Sequence, residues 1–597
     1  MSQLRAIAVR LFVVMILVAP AAADDGVAGR WIGTTTFAPN AALPTEFRFA
    51  PSKEDSSTWT GIICQPTGGI PHMPFTSVTV TDKKVVGELD LNGGAFHLTC
   101  TAELSADDSN TLTGNMVVRG RNATYPFSLV RTPMPEELPD HRRFAGNLIV
   151  PGQKVPWSVV LARRDRASWL GTLSVPLQQM IDVTITTITV DGRKVKFEVV
   201  FNARAVQVFE GEFVDASEMQ LKGTMTLNGQ PTGTWELEAG GKAMARPQEP
   251  KGPFPYRIEQ VEYKALENQG GFKLAGTLTI PEGEGRFPCV VLINGSGLHD
   301  RNSEMLGHKP FWVIADYLAR HGIAALRYDE RSVGQSGGDA TNATSDDLAD
   351  DVAAGIDFLK SHELIDGEHI GVAGHSEGST IAAITASTKR PDDVSFVVLL
   401  AGPGQAGRVL VLAQLEAIMK AQGAPAGVIE SSVRYKAETL AAVLDEGLEG
   451  QVLRLRVISA LAAHYARLIA IDPTTQQISD EELGQAADAE IAGLANPWVR
   501  FFFSFDPADA LAKVTCPVLA LNGTKDVQVP WDLCLPAIFK ALVASGNTDV
   551  TIRALPGLNH LFQHCDTGLI SEYSEIEETF APEALRAMGD WIAGQAR

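Results

Sequence analysis

The sequence predicts two structural halves: an all-β N-terminal region of two repeats, then an α/β half built on a mostly parallel sheet. Three observations support this division. Residues 26–245 alternate apolar and polar positions between tight turns, in a pattern that occurs twice. After a proline-rich stretch, short continuous apolar runs alternate with helical segments, as in a parallel sheet covered on both faces. One such run leads into a Gly-x-Ser-x-Gly turn at residues 374–378, and a helix-prone segment follows.

The N-terminal segment, residues 1–23, has the features of a secretory signal peptide. Arg5 and Arg10 give it a basic start, residues 11–18 form an apolar core, and residues 21–23 are alanines suited to cleavage. The apolar run is short for a membrane span, and an uncleaved anchor is the alternative. We therefore expect an exported protein, periplasmic or secreted, with no stable membrane insertion.

Residues 24–135 and 136–245 are predicted to be two copies of one β-rich unit. Trp-Thr-Gly at 59–61, for example, recurs as Trp-Leu-Gly at 169–171. The copies hold no cluster of residues suited to catalysis. We interpret them as a module for packing, for homo-oligomerisation or for shaping the substrate site, with carbohydrate binding as a further option.

A proline-rich linker is predicted at residues 246–256, and it is expected to tolerate cutting because few contacts cross such segments. The α/β domain is predicted over residues 257–404 and 499–597. Residues 405–498 are rich in Ala and Leu with helical spacing, and they separate two predicted strands. We interpret them as a helical cap insertion, with extra surface helices as the alternative. Strands are predicted at 289–293, 324–328, 370–373, 396–400 and 518–521, and helices at 311–321 and 346–360.

The turn at residues 374–378 predicts a nucleophile elbow, in which a sharp strand-to-helix turn projects the Ser376 hydroxyl above the sheet. A nucleophilic serine needs a base, and the base needs an orienting acid. Asp526 and His560 each follow an apolar run, so their loops are expected at the same edge of the sheet as Ser376. His564, which is farther from its strand, is the rival base. Asp506 precedes a helix and is better explained as an N-cap.

An oxyanion hole requires two N–H donors. One is predicted to be the backbone N–H of Glu377, directly after the nucleophile. The other is expected in the loop after the strand at 289–293, where glycines permit close backbone approach. Ser296 is the predicted donor, with Gly297 or Leu298 as alternatives. An ordinary β–α turn would use the same glycines.

Six segments of the C-terminal half carry a family resemblance, and they occur at 295–301, 328–336, 374–378, 399–404, 521–526 and 557–562. Together they resemble EstD-type bacterial carboxylesterases of the α/β-hydrolase superfamily, near its dienelactone-hydrolase and bile-acid-CoA acyltransferase-like branches. The resemblance covers about residues 255–597. It implies a serine esterase whose catalytic triad is Ser376, Asp526 and His560, with neither cofactor nor metal. Ser332 departs from the family, which usually has glycine there.

Composition and residue order limit the remaining functions. The formal net charge of −21, without a Lys/Arg cluster, argues against nucleic-acid binding. The predicted function is an exported serine hydrolase that cleaves a small-molecule carboxylic ester through an acyl-enzyme on Ser376. A serine peptidase or acyltransferase with the same triad is the alternative. A non-enzymatic protein that binds through the β repeats is a third, which the complete Ser-Asp-His order argues against.

Other polar residues receive structural interpretations. His375 is expected to pack under the elbow, and Asp300, Arg301 and Arg331 to form buried ion pairs, with substrate contact as the alternative. No spacing typical of a metal site occurs. Export would permit disulfides, and two pairings are open, Cys64 with Cys100 and Cys534 with Cys565. The remaining cysteines, Cys289 and Cys516, are expected to be buried thiols.

Overall fold

A computed structural model describes residues 26–595 of the chain with short gaps. The gaps are residues 39–40, 54–57, 66–69, 92–95, 106–107, 121–122, 151–152, 166–167, 176–179, 203–204, 215–218, 241–245, 446, 476, 495 and 545. The signal segment expected at residues 1–23 lies outside the described residues.

The N-terminal half consists of two antiparallel sheets, each with nine strands in its described part. The first contains β1 (Gly29–Ala38), β2 (Ala41–Pro51), β3 (Trp59–Gln65), β4 (Ile70–Pro74), β5 (Ser77–Thr81), β6 (Lys84–Leu91), β7 (Phe96–Leu104), β8 (Thr111–Val118) and β9 (Thr124–Arg131). The second contains β10 (His141–Val150), β11 (Gln153–Arg163), β12 (Trp169–Val175), β13 (Met180–Thr184), β14 (Thr187–Asp191), β15 (Lys194–Asn202), β16 (Ala205–Phe213), β17 (Gln220–Leu227) and β18 (Gln230–Ala239). The prediction of an all-β region with two repeats is confirmed.

The two repeats differ in how their sheets end. The first sheet closes into a barrel, because β2 pairs with β1 on one side and β3 on the other. The second runs from β13 to β14, and no ladder joins these two strands in its described part. The alternation of apolar residues fills both interiors with large side chains, such as Trp31 and Phe47 in the first and Trp157 and Trp235 in the second. These sheets therefore enclose packed cores.

A buried ionic cluster joins the repeats. The Glu46 carboxylate accepts from Arg30 Nε (2.9 Å) and Arg48 Nε (2.6 Å), and from the hydroxyl of Thr184 in the second repeat (2.6 Å). Burial alone would raise the pKa of Glu46, but the two guanidinium groups outweigh it and lower that pKa to about 2. The carboxylate therefore stays ionised, and it ties the two sheets at a fixed point.

The C-terminal half is built on a sheet of eight strands in the described part of the chain. They are β19 (Tyr256–Lys264), β20 (Lys273–Pro281), β21 (Phe287–Ile293), β22 (Ala324–Tyr328), β23 (Ile365–His375), β24 (Val397–Leu400), β25 (Val518–Gly523) and β26 (Val550–Leu555). Their spatial order is β19-β20-β22-β21-β23-β24-β25-β26. The first two strands pair antiparallel, as do β20 and β22, and every other neighbouring pair is parallel.

Helices cover both faces of this sheet. In the described part of this half the helices are α1 (Pro310–Arg320), α2 (Ser345–Ser361), α3 (Glu377–Ile384), α4 (Gly407–Ala421), α5 (Ala426–Leu444), α6 (Gly450–Ile471), α7 (Asp480–Leu494), α8 (Pro497–Ser504), α9 (Pro507–Leu511), α10 (Trp531–Ala544), α11 (Ile570–Tyr573) and α12 (Pro582–Gln595). One face packs against α2, α3, α9 and α10, and the other against α1 and α12. Within the described ranges, no helix combines the length and apolar character that crossing a bilayer requires.

Helices α4 to α8 separate β24 from β25, in the region predicted to be a cap. They have an apolar core of their own, which includes Leu440, Val457, Ala487 and Phe503. Since Phe503 belongs to α8, this cluster extends past the predicted end of the cap at residue 498. Asp506 accepts from the N–H of Ala508 and caps α9, as the sequence predicted.

None of the six cysteines forms a disulfide, so both proposed pairings are wrong. Cys64 lies on β3 and Cys100 on β7, three strands away in the order β7-β6-β5-β3. Each step between strands is about 4.8 Å, whereas a disulfide requires Cα atoms about 4.4–6.8 Å apart. Cys534 packs against Leu410 and Val529 instead of Cys565.

Candidate active site

Ser376 occupies the sharp turn between β23 and α3. Its backbone angles are φ 56° and ψ −124°, a strained conformation for a residue with a side chain. The flanking glycines allow the turn to close. A Cβ on Gly374 would lie 1.9 Å from the carbonyl oxygen of Gly378, and one on Gly378 would lie 2.4 Å from that of Ile293. The predicted strand–turn–helix geometry is present, and it places Ser376 at the carboxyl end of the parallel strands.

His560 and Asp526 form a hydrogen-bonded pair at the same edge of the sheet. His560 Nδ1 donates to Asp526 Oδ2 over 2.8 Å, and both residues are buried. The other carboxylate oxygen of Asp526 accepts from the backbone N–H groups of Gln528 and Val529, each over 2.8 Å. The carboxylate is therefore fixed. With Nδ1 donating, neutral His560 carries its acceptor nitrogen at Nε2.

Two further histidines lie near His560, and their surroundings differ from its own. His375 Nε2 donates to the backbone carbonyl of His560 over 2.8 Å, and burial lowers the pKa of His375 to about 3. Neutral His375 therefore supports the loop that carries His560. The ring of His564 binds Glu578 and Glu583, and the hydrogen bond to Glu578 raises its pKa. His564 is therefore engaged by carboxylates away from the elbow.

The loop after β21 lies beside the elbow. A Cβ on Gly295 would lie 3.1 Å from the Cβ of Ser376. The next residue, Ser296, donates its hydroxyl to Glu377 Oε2 over 2.7 Å, and its carbonyl accepts from His299 Nε2 over 3.0 Å. Glu377 is the first residue of α3, so its N–H has no acceptor within the helix. Both predicted oxyanion-hole residues thus neighbour Ser376, and their donor role stays a prediction.

Ser376, His560, Glu377 and Ser296 line one cavity of about 340 Å³. Asp526 stands behind His560 and completes the set of site residues predicted from the sequence. The cavity combines a hydroxyl, an imidazole held by a carboxylate, and N–H groups at a helix N-terminus. Such a set can attack a carbonyl carbon and stabilise the negative charge that develops on its oxygen.

The walls of this cavity include residues that the sequence pattern did not predict. The inserted helices supply Leu410, Trp498 and Phe502, and the short helix α11 supplies Ile570 and Tyr573. Trp498 and Phe502 stack with ring centroids 5.5 Å apart, and their spacing of four residues on α8 puts them on one face. The four-residue spacing predicts that the two rings share one face of α8. It does not predict that this face lines the cavity.

The predicted linker is bound to the C-terminal domain near the site. The Arg246 guanidinium donates to four backbone carbonyls, those of Leu306, Gly307, Ser574 and Ile576. The Gln248 side chain bonds the backbone of Thr579 and Phe580. The expectation of few contacts across the linker is therefore wrong.

The segment held by Arg246 and Gln248 in turn supports the loop of His560. Gln563 Nε2 donates to the Glu578 carbonyl over 2.9 Å, and the N–H of Ala581 donates to the Phe562 carbonyl over 2.8 Å. A chain of hydrogen bonds thus leads from residues 246–248 through residues 574–581 to residues 559–563.

We expect Arg246→Ala to lower the free energy of unfolding by about 3 kcal/mol, because several backbone carbonyls lose a charged donor. Turnover should fall at least about tenfold, since the loop of His560 loses support. Urea unfolding and ester hydrolysis measure the two effects. Lys251→Ala, an exposed change in the same segment, is the control. Equal behaviour of the two variants would contradict this role of Arg246.

The position of a cut in this segment should matter for the same reason. A protein beginning at residue 241 keeps Arg246 and Gln248 and is expected to retain turnover of a short ester. One beginning at Gly252 lacks both residues and should lose stability and turnover together.

His308 is a buried histidine in the same region, and it predicts a pH dependence of stability. Its Nε2 donates to the Tyr573 carbonyl over 2.8 Å. Burial, and then the charge of Arg246, lower the pKa of His308 to about 4 from 6.5. The unfolded chain binds a proton at His308 more readily than the folded chain does. The stabilisation that depends on neutral His308 is therefore fully present above pH 6.5 and is lost as the pH falls towards 4. We expect a slope of up to about 1.4 kcal/mol per pH unit, measured by urea unfolding, and a flatter slope in His308→Gln.

Two of the three predicted ion-pair residues behave as expected. Arg301 pairs with Asp329 (2.6 Å) and Arg331 with Asp351 (2.7 Å), and all four lie outside the cavity wall. Asp300 is different: its carboxylate accepts backbone N–H groups of the turn that follows it. Among the described residues, no group of three or more His, Cys, Asp or Glu side chains is arranged to hold a metal ion.

Ser332 has φ 67°, a backbone conformation that favours glycine. Glycine, which the resemblance leads us to expect at this position, would adopt this conformation without strain. Its hydroxyl donates to the Gly338 carbonyl (3.1 Å) and accepts from the Ala340 N–H (3.0 Å), and these bonds offset the strain.

The strand order, the serine turn after β23, and the Asp and His after β25 and β26 define an α/β-hydrolase fold. The predicted fold class is confirmed. The family described as serine aminopeptidase, S33, matches residues 309–452.

The chain is similar to known esterases. It is 27% identical over 307 residues to esterase EstD of Thermotoga maritima, which is 51% of this chain and 60% of that protein. It is 33% identical over 84 residues to esterase FrsA of Serratia proteamaculans, or 14% and 18% of the two chains. A solved esterase of Pyrococcus furiosus aligns with 60% of this chain and 100% of its own, at 16% identity and a TM-score of 0.35. The chain spans less than two thirds of the length of EstD and FrsA. The similarity to EstD confirms the predicted resemblance to EstD-type esterases.

Proposed function

We propose that the protein is a carboxylesterase that forms an acyl-enzyme on Ser376. One observation carries the proposal: Ser376, at its strained turn, shares a cavity with His560, whose ring Asp526 orients. The similarity to EstD favours an ester as the substrate.

In the first half of the proposed reaction, His560 Nε2 takes the proton of Ser376 while the serine oxygen attacks the ester carbonyl carbon. The N–H groups of Glu377 and Ser296 bind the resulting oxyanion. When the carbon–oxygen bond of the ester breaks, His560 returns its proton to the leaving alcohol. In the second half, His560 removes a proton from water, which attacks the acyl-enzyme. The bond between the acyl carbon and the serine oxygen then breaks, the acid leaves, and His560 returns its proton to Ser376.

The shape of the cavity supports acyl groups of modest size. Its volume is about 340 Å³, at the lower end for small-molecule pockets. Leu410, Trp498, Phe502 and Val529 provide apolar and aromatic surface on the side of the inserted helices. Short aliphatic or single-ring acyl groups match this surface.

A hydrolysis panel tests the proposal. p-Nitrophenyl esters of increasing acyl length are compared with aminoacyl amides and acyl-CoA thioesters. We expect kcat/KM to be highest for short esters. A serine peptidase is the second candidate, because the matching family is described as a serine aminopeptidase. Preference for the amides would support that candidate and would reject the esterase.

We further propose that the protein is exported to the periplasm or secreted, with residues 1–23 removed. The basic start, apolar core and alanine run of that segment support this. N-terminal sequencing of the exported fraction should give Asp24. Val14→Arg, which interrupts the apolar core, should leave the full-length chain in the cytoplasm. Full-length wild-type protein in the cytoplasm would contradict the proposal.

A further inference from the structure

The Glu377 side chain is a buried carboxylate in the wall of the cavity. Only 1% of the residue is exposed, and no Lys or Arg forms an ion pair with it among the described residues. A buried charge without a cation is costly unless hydrogen bonds compensate it. Glu377 accepts three: Oε2 accepts from Ser296 Oγ (2.7 Å), and Oε1 from Ser345 Oγ (2.7 Å) and Trp498 Nε1 (2.8 Å).

The three donors come from separate parts of the fold. Ser296 lies in the loop after β21, Ser345 is the first residue of α2, and Trp498 lies in α8 of the inserted helices. Glu377 lies directly after Ser376 at the elbow. Its carboxylate therefore links the elbow to the loop after β21, here called the oxyanion loop, and to the helical cap. An apolar side chain would fill the space without making these links.

The link to Ser296 bears on the oxyanion hole. Ser296, Gly297 and Leu298 are exposed, and Leu298 is 61% exposed, so packing does little to hold this loop. The hydrogen bond to Glu377 fixes Ser296 relative to the elbow. Since an oxyanion donor acts mainly in the transition state, a shift of this loop should lower kcat more than it changes KM.

The link to Trp498 bears on the acyl side of the cavity. The backbone N–H of Trp498 donates to the side chain of Asn496, the N-cap residue of α8, and the indole of Trp498 stacks on Phe502. Its Nε1–H is then directed to Glu377. This bond sets the distance between the aromatic wall and Ser376, and loosening it should weaken binding of longer acyl groups.

On the basis of the proposed esterase function, we propose that Glu377 is a positioning residue with two hydrogen-bonded connections, here called its arms. One arm holds the oxyanion loop in position through Ser296. The other holds the aromatic wall of the cavity in position through Trp498. Neither arm requires Glu377 to exchange a proton with the substrate. The chemistry stays with Ser376 and His560.

Two variants of the full chain, each lacking one hydrogen-bond donor to Glu377, separate the arms. Ser296→Ala removes the hydroxyl but keeps the backbone N–H, and Trp498→Phe removes the indole N–H but keeps an aromatic ring. Ser361→Ala and Trp591→Phe make the same changes on α2 and α12, away from the cavity, and serve as matched controls. Steady-state kinetics are measured with p-nitrophenyl acetate and p-nitrophenyl octanoate, and far-ultraviolet circular dichroism with urea unfolding reports folding.

We expect Ser296→Ala to lower kcat about tenfold on both esters, with KM changed less than about twofold. Trp498→Phe should raise KM for the octanoate about fivefold more than for the acetate. Both controls should match the wild type, and Glu377→Ala should show both effects. If Ser296→Ala leaves kcat unchanged, or if the two arms give the same kinetic pattern, the proposal is overturned. Hydrolysis of p-nitrophenyl acetate by the wild type tests the esterase function separately. The role of Glu377 is tested only by the differences between each variant and the wild type. If Glu377→Ala does not fold, the two arm variants still decide the question.

Discussion

Ser376→Ala is expected to abolish ester hydrolysis, with a fall in kcat of at least about 10⁴-fold and no loss of the fold. The physical reason is that the proposed acyl-enzyme forms through the serine oxygen, and alanine offers no nucleophile. Oxyanion donors and the cavity remain in the variant, so a small residual rate above the uncatalysed reaction is expected. Alanine also lacks the hydroxyl but keeps a Cβ, so the strained turn is not relieved and stability should change little.

Labelling by a fluorophosphonate measures the nucleophile independently of turnover. The wild type should be labelled at one site, and Ser376→Ala should not be labelled. Ser387→Ala serves as the control, because Ser387 lies beyond α3 and its hydroxyl donates to the backbone carbonyl of Ile384. Labelling that persists in Ser376→Ala would show that another residue is the nucleophile.

His560→Ala should lower turnover by about 10⁴-fold, because neither the attacking serine nor the attacking water then has a base. The buried Asp526 carboxylate would also lose its hydrogen-bond partner, so some loss of stability is expected. We expect circular dichroism to show a folded protein, since two backbone N–H groups still hold the carboxylate.

His564→Ala is the matched comparison for His560→Ala. His564 is 56% exposed at its side chain and binds Glu578 and Glu583, so its removal should change turnover less than about twofold. A variant pair with the opposite ranking would mean that His564 is the base and that the loop rearranges during catalysis.

The parts of the fold that depend on short-range patterns could be predicted from the sequence. The apolar runs at 289–293 and 324–328 lie within or match β21 and β22, because a buried parallel strand requires continuous apolar residues. The repeat unit could be recognised because each copy encodes the same succession of hairpins. The turn at Ser376 could be recognised because close backbone approach excludes side chains at Gly374 and Gly378.

Features that depend on long-range contacts could not be predicted. Arg246 lies in a proline-rich stretch typical of a linker, yet its partners are 60 and more positions away along the chain. Cys64 and Cys100 lie in one repeat, but their separation depends on the strand order. The carboxylate of Glu377 carries no signal of its own, because its three donors are 32 to 121 positions distant.

The sequence by itself determined the order of the elements, the turn that carries Ser376, and the placement of Asp526 and His560 after two parallel strands. These follow from side-chain size and periodicity along the chain, and neighbouring residues suffice to express them. Only the tertiary structure decided which helices wall the cavity, which residues hold the loop of His560, and which donors meet Glu377. Those contacts join segments that are remote in the chain, and they arise only when packing of the whole domain brings the segments together.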